Sequence, residues 1–219
     1  MGGSRLETEI KEDLNKIVRV KDKVRIDLNS HVIFPERLYE NLKRASWKNI
    51  VNINIDFLKG NVCCTWEHFG PLWEETLPAV DDLISLNKKG YMSIDSSPYY
   101  PPEVNLMEEY LCGMMNSYKK AKKLIDKLKQ YDYLIITYQF GIKTKPKNTF
   151  DAKKASKYLN STALKNFTKF YKKDEISLMN ELYDNKIIVI KEPVQIDIIS
   201  IANKDVKLIK LVLKTINTL

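Results

Sequence analysis

The chain has 219 residues, of which 44% are hydrophobic and 29% are charged. This composition is typical of a folded globular protein and excludes wholesale disorder. No run of residues approaches the ~20 consecutive apolar ones that a transmembrane helix needs, so no membrane partner is expected. The formal net charge of +8 permits attraction to phosphate-rich partners. Most of the excess is lysine, whereas bidentate recognition of phosphates and bases relies on arginine, so charge alone does not indicate a nucleic-acid-binding protein.

The N-terminus and the cysteines favour an intracellular protein, cytoplasmic or, if the chain is viral, within a virion. The first residues, MGGSRLETEIKEDL, become charged at once and lack the apolar core of a secretory signal. Cys63, Cys64 and Cys112 are odd in number and two of them are adjacent, which argues against a disulfide framework. Because the only histidines are His31 and His68, no zinc-ligand spacing can be assembled, and we expect no metal site.

The first part of the chain is predicted to be a charged extension of residues 1–46. A helical stripe of apolar residues begins at Leu6, the alternation in residues 23–34 reads as a strand, and a helix is expected to start at Pro35. The second unit, residues 47–219, is expected to be one domain.

The middle of the chain alternates helices with strands. A helix is predicted over residues 46–60, with Ser46 as its N-cap and Gly60 as its stop. The next helix, 71–90, has an irregular start at Pro78 and ends at Gly90, before a polar strand. Residues 103–117 fit neither periodicity. The later predictions are a helix at 117–131 with Ser117 as its N-cap, a strand at 132–142, helices at 151–160, 161–171 and 173–185, strands at 186–192 and 194–202, and a last helix at 204–219.

This order of elements predicts an α/β (α+β) domain with a mixed sheet flanked by helices. The sequence has no glycine-rich phosphate loop of the common types and no G-x-S-x-G nucleophile elbow. No catalytic residue is therefore assigned, and the interpretation leans away from an enzyme.

Two polar segments are candidates for a ligand site. Glu75 and Thr76 lie near the start of the helix at 71–90, where acids also complement the helix dipole without any ligand. If they face a cleft, they suit a cationic or amino-acid-like group. The segment SIDSSP, residues 93–98, supplies hydroxyls and one carboxylate, although Ser and Asp before Pro also form simple turns. The lysines between 119 and 129 are most simply the solvated face of a helix, with nucleic-acid contact as the alternative.

Several stretches, read together, resemble one known family. They are FLKG at 57–60, Glu75-Thr76, NKKG at 87–90 and SIDSSP at 93–98. Their order is similar to that in the C-terminal regulatory domain of eukaryotic methylenetetrahydrofolate reductase, well over residues 47–142 and loosely over 172–219. Ser97 stands where that family has Gln. The chain has no room for the ~250-residue catalytic barrel, so the resemblance is to the stand-alone regulatory domain.

The resemblance implies binding of S-adenosylmethionine as a ligand, and no other cofactor is expected. Glu75 and Thr76 match the family's Glu-Thr pair and Ser96 matches its serine, while Ser93 and Asp95 lie beside them. We therefore expect a cleft between the start of the helix at 71–90 and the following strand, in a non-catalytic small-molecule-binding module.

Two alternatives stay open. The chain could be a structural or assembly protein that keeps the fold without the ligand, with protein partners or a second copy of itself. It could also be an enzyme on an adenosylmethionine-like substrate, with His68, Glu74, Glu75 and Asp95 as acid–base candidates.

Overall fold

The fold is described from a computed structural model. It describes the strands at residues 24–27 and 32–35 by their backbone, and residues 46–61, 65, 72, 76–97, 109–170, 193–201 and 207–219. Four predicted elements lie outside the described residues. They are the helix before residue 23, the helix that follows Pro35, the helix at 173–185 and the strand at 186–192.

The central element is a five-stranded sheet. Its strands are β3 (Met92–Ser97), β4 (Glu109–Met115), β5 (Leu134–Phe140), β6 (Lys147–Asn148) and β7 (Val194–Ser200). Their spatial order is β3-β4-β7-β5-β6, and every pairing among these five strands is antiparallel. Among the described strands, β3 and β6 are therefore the two outermost.

Two shorter strands, β1 (Val24–Asp27) and β2 (Val32–Pro35), form a separate antiparallel pair. The single strand predicted at residues 23–34 is therefore wrong in detail, since residues 24–27 and 32–35 form two strands that pair with each other. The domain boundary at residue 46 stays a prediction.

Six α-helices accompany the sheet in the described part of the chain. They are α1 (Trp47–Leu58), α2 (Val80–Lys88), α3 (Tyr118–Leu128), α4 (Ala152–Ala155), α5 (Ser161–Phe170) and α6 (Leu208–Ile216). A 3₁₀ turn at Leu77–Ala79 leads into α2, where Pro78 predicts an irregular start. Ser46 and Ser117 cap α1 and α3 as expected, because each side chain accepts a hydrogen bond from a first-turn amide.

The two faces of the sheet bury different helices. On one face α1, α2, α3 and α6 pack against alternate strand residues such as Leu111, Ile136 and Ile196. On the other face Ala155 of α4 and Phe167 of α5 pack against Ile135, whose side chain alternates with that of Ile136. Helices with a sheet confirm the predicted fold class. The described pairings are antiparallel rather than mixed, because a pattern of alternating elements does not by itself reveal strand direction.

Candidate functional site

The candidate site is built on the helix–turn–strand unit formed by α2 and β3. Gly90, with φ of +94°, occupies the left-handed conformation that closes the helix and turns the chain into the strand. Since β3 then runs back along α2, the start of the helix and the end of the strand lie at the same end of this unit. The topology therefore brings residue 76 and residues 96–97 to one end of the fold.

A buried polar network fixes the opposite end of the unit. The Asn54 side-chain amide of α1 donates to Asn87 Oδ1 at 2.9 Å and to the Ser93 carbonyl at 2.6 Å. The Asn87 amide donates to Ser93 Oγ at 2.8 Å and to the Leu83 carbonyl at 2.8 Å. All three polar residues are buried. Buried polar groups that satisfy one another specify a unique packing, so this network locks α1, α2 and β3 together.

Ser93 therefore has a structural role in this arrangement. Only 5% of its surface is exposed, and its hydroxyl already accepts a hydrogen bond from Asn87. A ligand could reach it only by opening the helix–strand contact.

A β-bulge follows Ser93 in β3. The register with β4 shifts between Ser93 and Asp95, which leaves Ile94 as the extra residue. Asp95 is exposed and accepts a short hydrogen bond from the hydroxyl of Tyr110. Ser96 is half-buried and pairs with Leu111, which belongs to the face covered by α2. Asp95 and Ser96 thus lie on opposite faces of β3.

Thr76 lies at the start of the 3₁₀ turn before α2. It is half-buried, and its side chain makes no capping hydrogen bond to that turn. The next residue, Leu77, is 56% exposed, although the apolar pattern predicts that it faces the core. Glu75, like Cys63, Cys64 and His68, lies outside the described residues. Ser96 therefore lies on the face of β3 that α2 covers, whereas Ser93 belongs to the buried network and Asp95 lies on the opposite face of the strand.

Tyr91 holds the beginning of β3 against the rest of the sheet. Its ring lies against Gly113 of β4, where a Cβ atom would come within 2.3 Å of the ring. Its hydroxyl donates to the Ile196 carbonyl of β7 at 2.8 Å. Burial of the ring raises the pKa of this phenol well above its usual range. The residue thus joins three strands at once.

A cleft lies on the far side of the sheet from β3, near the start of β5. This cleft has a volume of about 170 Å³ and lies between the end of α3, the start of β5 and the segment leading into α4. Its polar lining side chains are Lys129, Tyr131, Asp132, Thr149, Asp151 and Lys154. Since β5 is three strands from β3, these two strands are roughly 14 Å apart across the sheet. The sequence interpretation missed this cleft, although the density of lysines around residues 143–157 is a signal that could have indicated it.

No protein-family model matches the chain, and no curated protein matches it. In the described ranges, no helix combines the length and apolar character needed to cross a membrane. The same residues contain no group of three histidine, cysteine or acidic side chains arranged to hold a metal ion.

Proposed function

We propose that the protein is a non-catalytic small-molecule-binding module whose ligand is S-adenosylmethionine or a close relative. The site lies where the start of α2 meets the end of β3, with Thr76 and Ser96 as hydroxyl ligands and Glu75 as the adjacent carboxylate. The order of the elements supports the proposal: Thr76 precedes α2 and Ser96 lies near the end of β3, which follows α2 after the turn at Gly90, so we expect the two residues at the same end of the α2–β3 unit.

The chemistry of these groups suits such a ligand. Hydroxyls can donate to the carboxylate or the ribose oxygens of adenosylmethionine, and a carboxylate at position 75 suits its ammonium and sulfonium charges. Leu77 is exposed beside Thr76 and offers an apolar surface to the adenine ring or to the carbon chain of the ligand's methionine part. The family resemblance supplies the identity of the ligand.

An assembly role is the second candidate, because an exposed leucine also suits a protein partner. Leu77 and Pro78 form a small apolar surface at the start of α2. If this surface contacts a partner, Leu77→Ser should change the mass of the complex measured by light scattering. The variant Thr76→Val/Ser96→Ala should leave that mass unchanged.

The ligand proposal is tested by thermal unfolding with 1 mM S-adenosylmethionine or S-adenosylhomocysteine. A ligand present at ten times its Kd adds about 1.4 kcal/mol to the stability of the native state. For a chain of this size that raises Tm by about 3 °C. In the variant Thr76→Val/Ser96→Ala we expect the same Tm without ligand and no rise with it.

The matched control is Thr162→Val/Ser156→Ala, which removes the same hydroxyls from exposed positions in α5 and beside α4. It should keep the full ligand-induced rise. A Tm that neither compound changes in the wild-type chain would refute the proposed function.

A further inference from the structure

The positive charge of the chain is concentrated in one segment. Residues 117–170 contain fourteen lysines and three aspartates, with no arginine, glutamate or histidine, so their formal charge is +11. The whole chain carries +8, so the remaining residues have a net charge of −3. The segment forms α3, β5, β6, α4 and α5.

Every one of these lysines is exposed. They are Lys119, Lys120, Lys122, Lys123, Lys127, Lys129, Lys143, Lys145, Lys147, Lys153, Lys154, Lys157, Lys165 and Lys169. On α3 this follows from its amphipathic pattern, because Leu124 and Leu128 face the core and the lysines must point away from it. Charge of one sign on one part of the surface creates a potential that attracts polyanions.

The lysines of different elements converge on the cleft beside β5. Lys129, at the end of α3, and Lys154, in α4, both line it, although they belong to opposite faces of the sheet. Lys129 Nζ also lies 4.9 Å from the centroid of the Tyr138 ring, and Lys147 of β6 is the register partner of Tyr138. Three cationic side chains from three elements thus border the same edge of the sheet.

The two carboxylates of the cleft are already engaged. Asp132 accepts hydrogen bonds from the hydroxyl of Tyr158 and from Lys157 Nζ, which together lower the pKa of this carboxyl. Asp151 Oδ1 accepts from the backbone amides of Lys153 and Lys154. Neither interaction uses the ammonium groups of Lys129 and Lys154, although Lys129 Nζ donates to the Tyr138 hydroxyl at 3.4 Å. Both lysines are exposed.

Aromatic rings accompany the charges. Tyr131 lines the cleft, its ring centroid is 5.6 Å from that of Tyr133, and Tyr133 in turn contacts Tyr158. Tyr158 is 38% exposed. Since one water occupies ~30 Å³ in the liquid, a cleft of about 170 Å³ admits a group of several heavy atoms.

We propose that the lysine surface of α3, β6 and α4, with the cleft at its centre, binds single-stranded nucleic acid without sequence preference. Phosphates contact Lys129, Lys154 and their neighbours, and a base enters the cleft against Tyr131. Lysines that follow a backbone, interleaved with aromatic rings, are the combination used for single strands. The segment has no arginine, whose planar guanidinium makes bidentate contacts that a lysine ammonium cannot match, so we expect little sequence preference.

An anionic membrane surface is a less suitable occupant. Membrane-binding amphipathic helices insert an apolar face, but that face of α3 is buried against the sheet. The lysine surface therefore offers charge and tyrosine rings, and it has no apolar helix face to bury in lipid.

The test is fluorescence anisotropy of a labelled 20-nucleotide oligo-dT and of a mixed-sequence RNA of the same length, titrated with the full chain at several salt concentrations. We expect similar affinities for the two, falling steeply with salt. In Lys129→Gln/Lys154→Gln, the affinity at low salt should drop at least tenfold. The slope of log K against log salt should decrease by about 1.4, as expected for two lost contacts to a single strand.

The matched control is Lys88→Gln/Lys89→Gln, which removes the same charge from exposed positions beside the other edge of the sheet. Circular dichroism checks that both variants are folded. Binding that the control reduces as much as the cleft variant would overturn the proposal, since only net charge would then matter. Absence of binding, equal affinity for a 20-base-pair duplex, or binding only to phosphatidylserine vesicles would each overturn it as well.

Discussion

Asn87 occupies a position in α2 that the helical pattern assigns to the apolar face. The sequence predicts correctly that this residue points inward, because it lies four and three residues after Leu83 and Ile84. Its partners, Asn54 and Ser93, are not predictable from that period, since Asn54 is 33 residues away and belongs to another helix. The sequence therefore predicts that Ser93 binds the ligand. In the structure its hydroxyl is buried and accepts a hydrogen bond from Asn87.

Replacing Asn87 by Leu tests the buried network. The change removes one acceptor and two donor interactions, so the Asn54 amide keeps only its bond to the Ser93 carbonyl and the Ser93 hydroxyl loses the Asn87 donor. We expect a loss of about 2–4 kcal/mol in the free energy of unfolding, measured by urea denaturation. Asn166→Leu, at an exposed position of α5, should stay within about 0.5 kcal/mol of wild type. Equal stabilities for the two variants would show that the network does not hold the helices.

Elements with a clean periodicity were predicted almost completely. The buried residues of α3 are the four that its pattern selects, and β5 and β7 are the apolar, β-branched runs. The bulge in β3 was not predictable, because it depends on pairing with β4 rather than on the local residues. The bulge puts Ser93 and Ser96 on the same face of β3 and leaves Asp95 on the other face.

Tyr91 connects β3, β4 and β7, and its ionisation should couple their stability to pH. Burial raises the pKa of Tyr91 in the folded chain above its unfolded value, so the stabilisation is fully present below about pH 10. It is lost as pH rises further, because the unfolded chain releases this proton and the folded chain retains it.

We therefore expect the free energy of unfolding of the wild-type chain to fall above pH 10 more steeply than that of Tyr91→Phe. The extra slope approaches about 1.4 kcal/mol per pH unit. Below pH 9, Tyr91→Phe should be the less stable chain by about 1 kcal/mol, since the Ile196 carbonyl loses its donor. Guanidinium denaturation at a series of pH values measures both effects. Parallel pH profiles for the two chains would contradict this role of Tyr91.

At the scale of the whole molecule, the fold places two different surfaces at opposite edges of one sheet. The edge at β3 carries hydroxyls and an exposed leucine, and the edge near β5 and β6 carries the lysines and the cleft. The class of fold followed from the sequence, but the strand order did not, because neighbours such as β4 and β7 are about 80 residues apart in the chain. Without that order, the lysines of α3 looked like an ordinary solvated helix face.

The measurement that most directly tests the proposed function is an NMR titration of the ¹⁵N-labelled chain with S-adenosylmethionine. We predict saturable amide shifts at Thr76, Leu77, Ala79, Val80 and residues 94–97, and little change at Lys129, Tyr131 and Lys154. The variant Thr76→Val/Ser96→Ala should lose the saturation. If no amide shift saturates, or if the shifts cluster around the lysine-lined cleft, the ligand site is not where α2 meets β3.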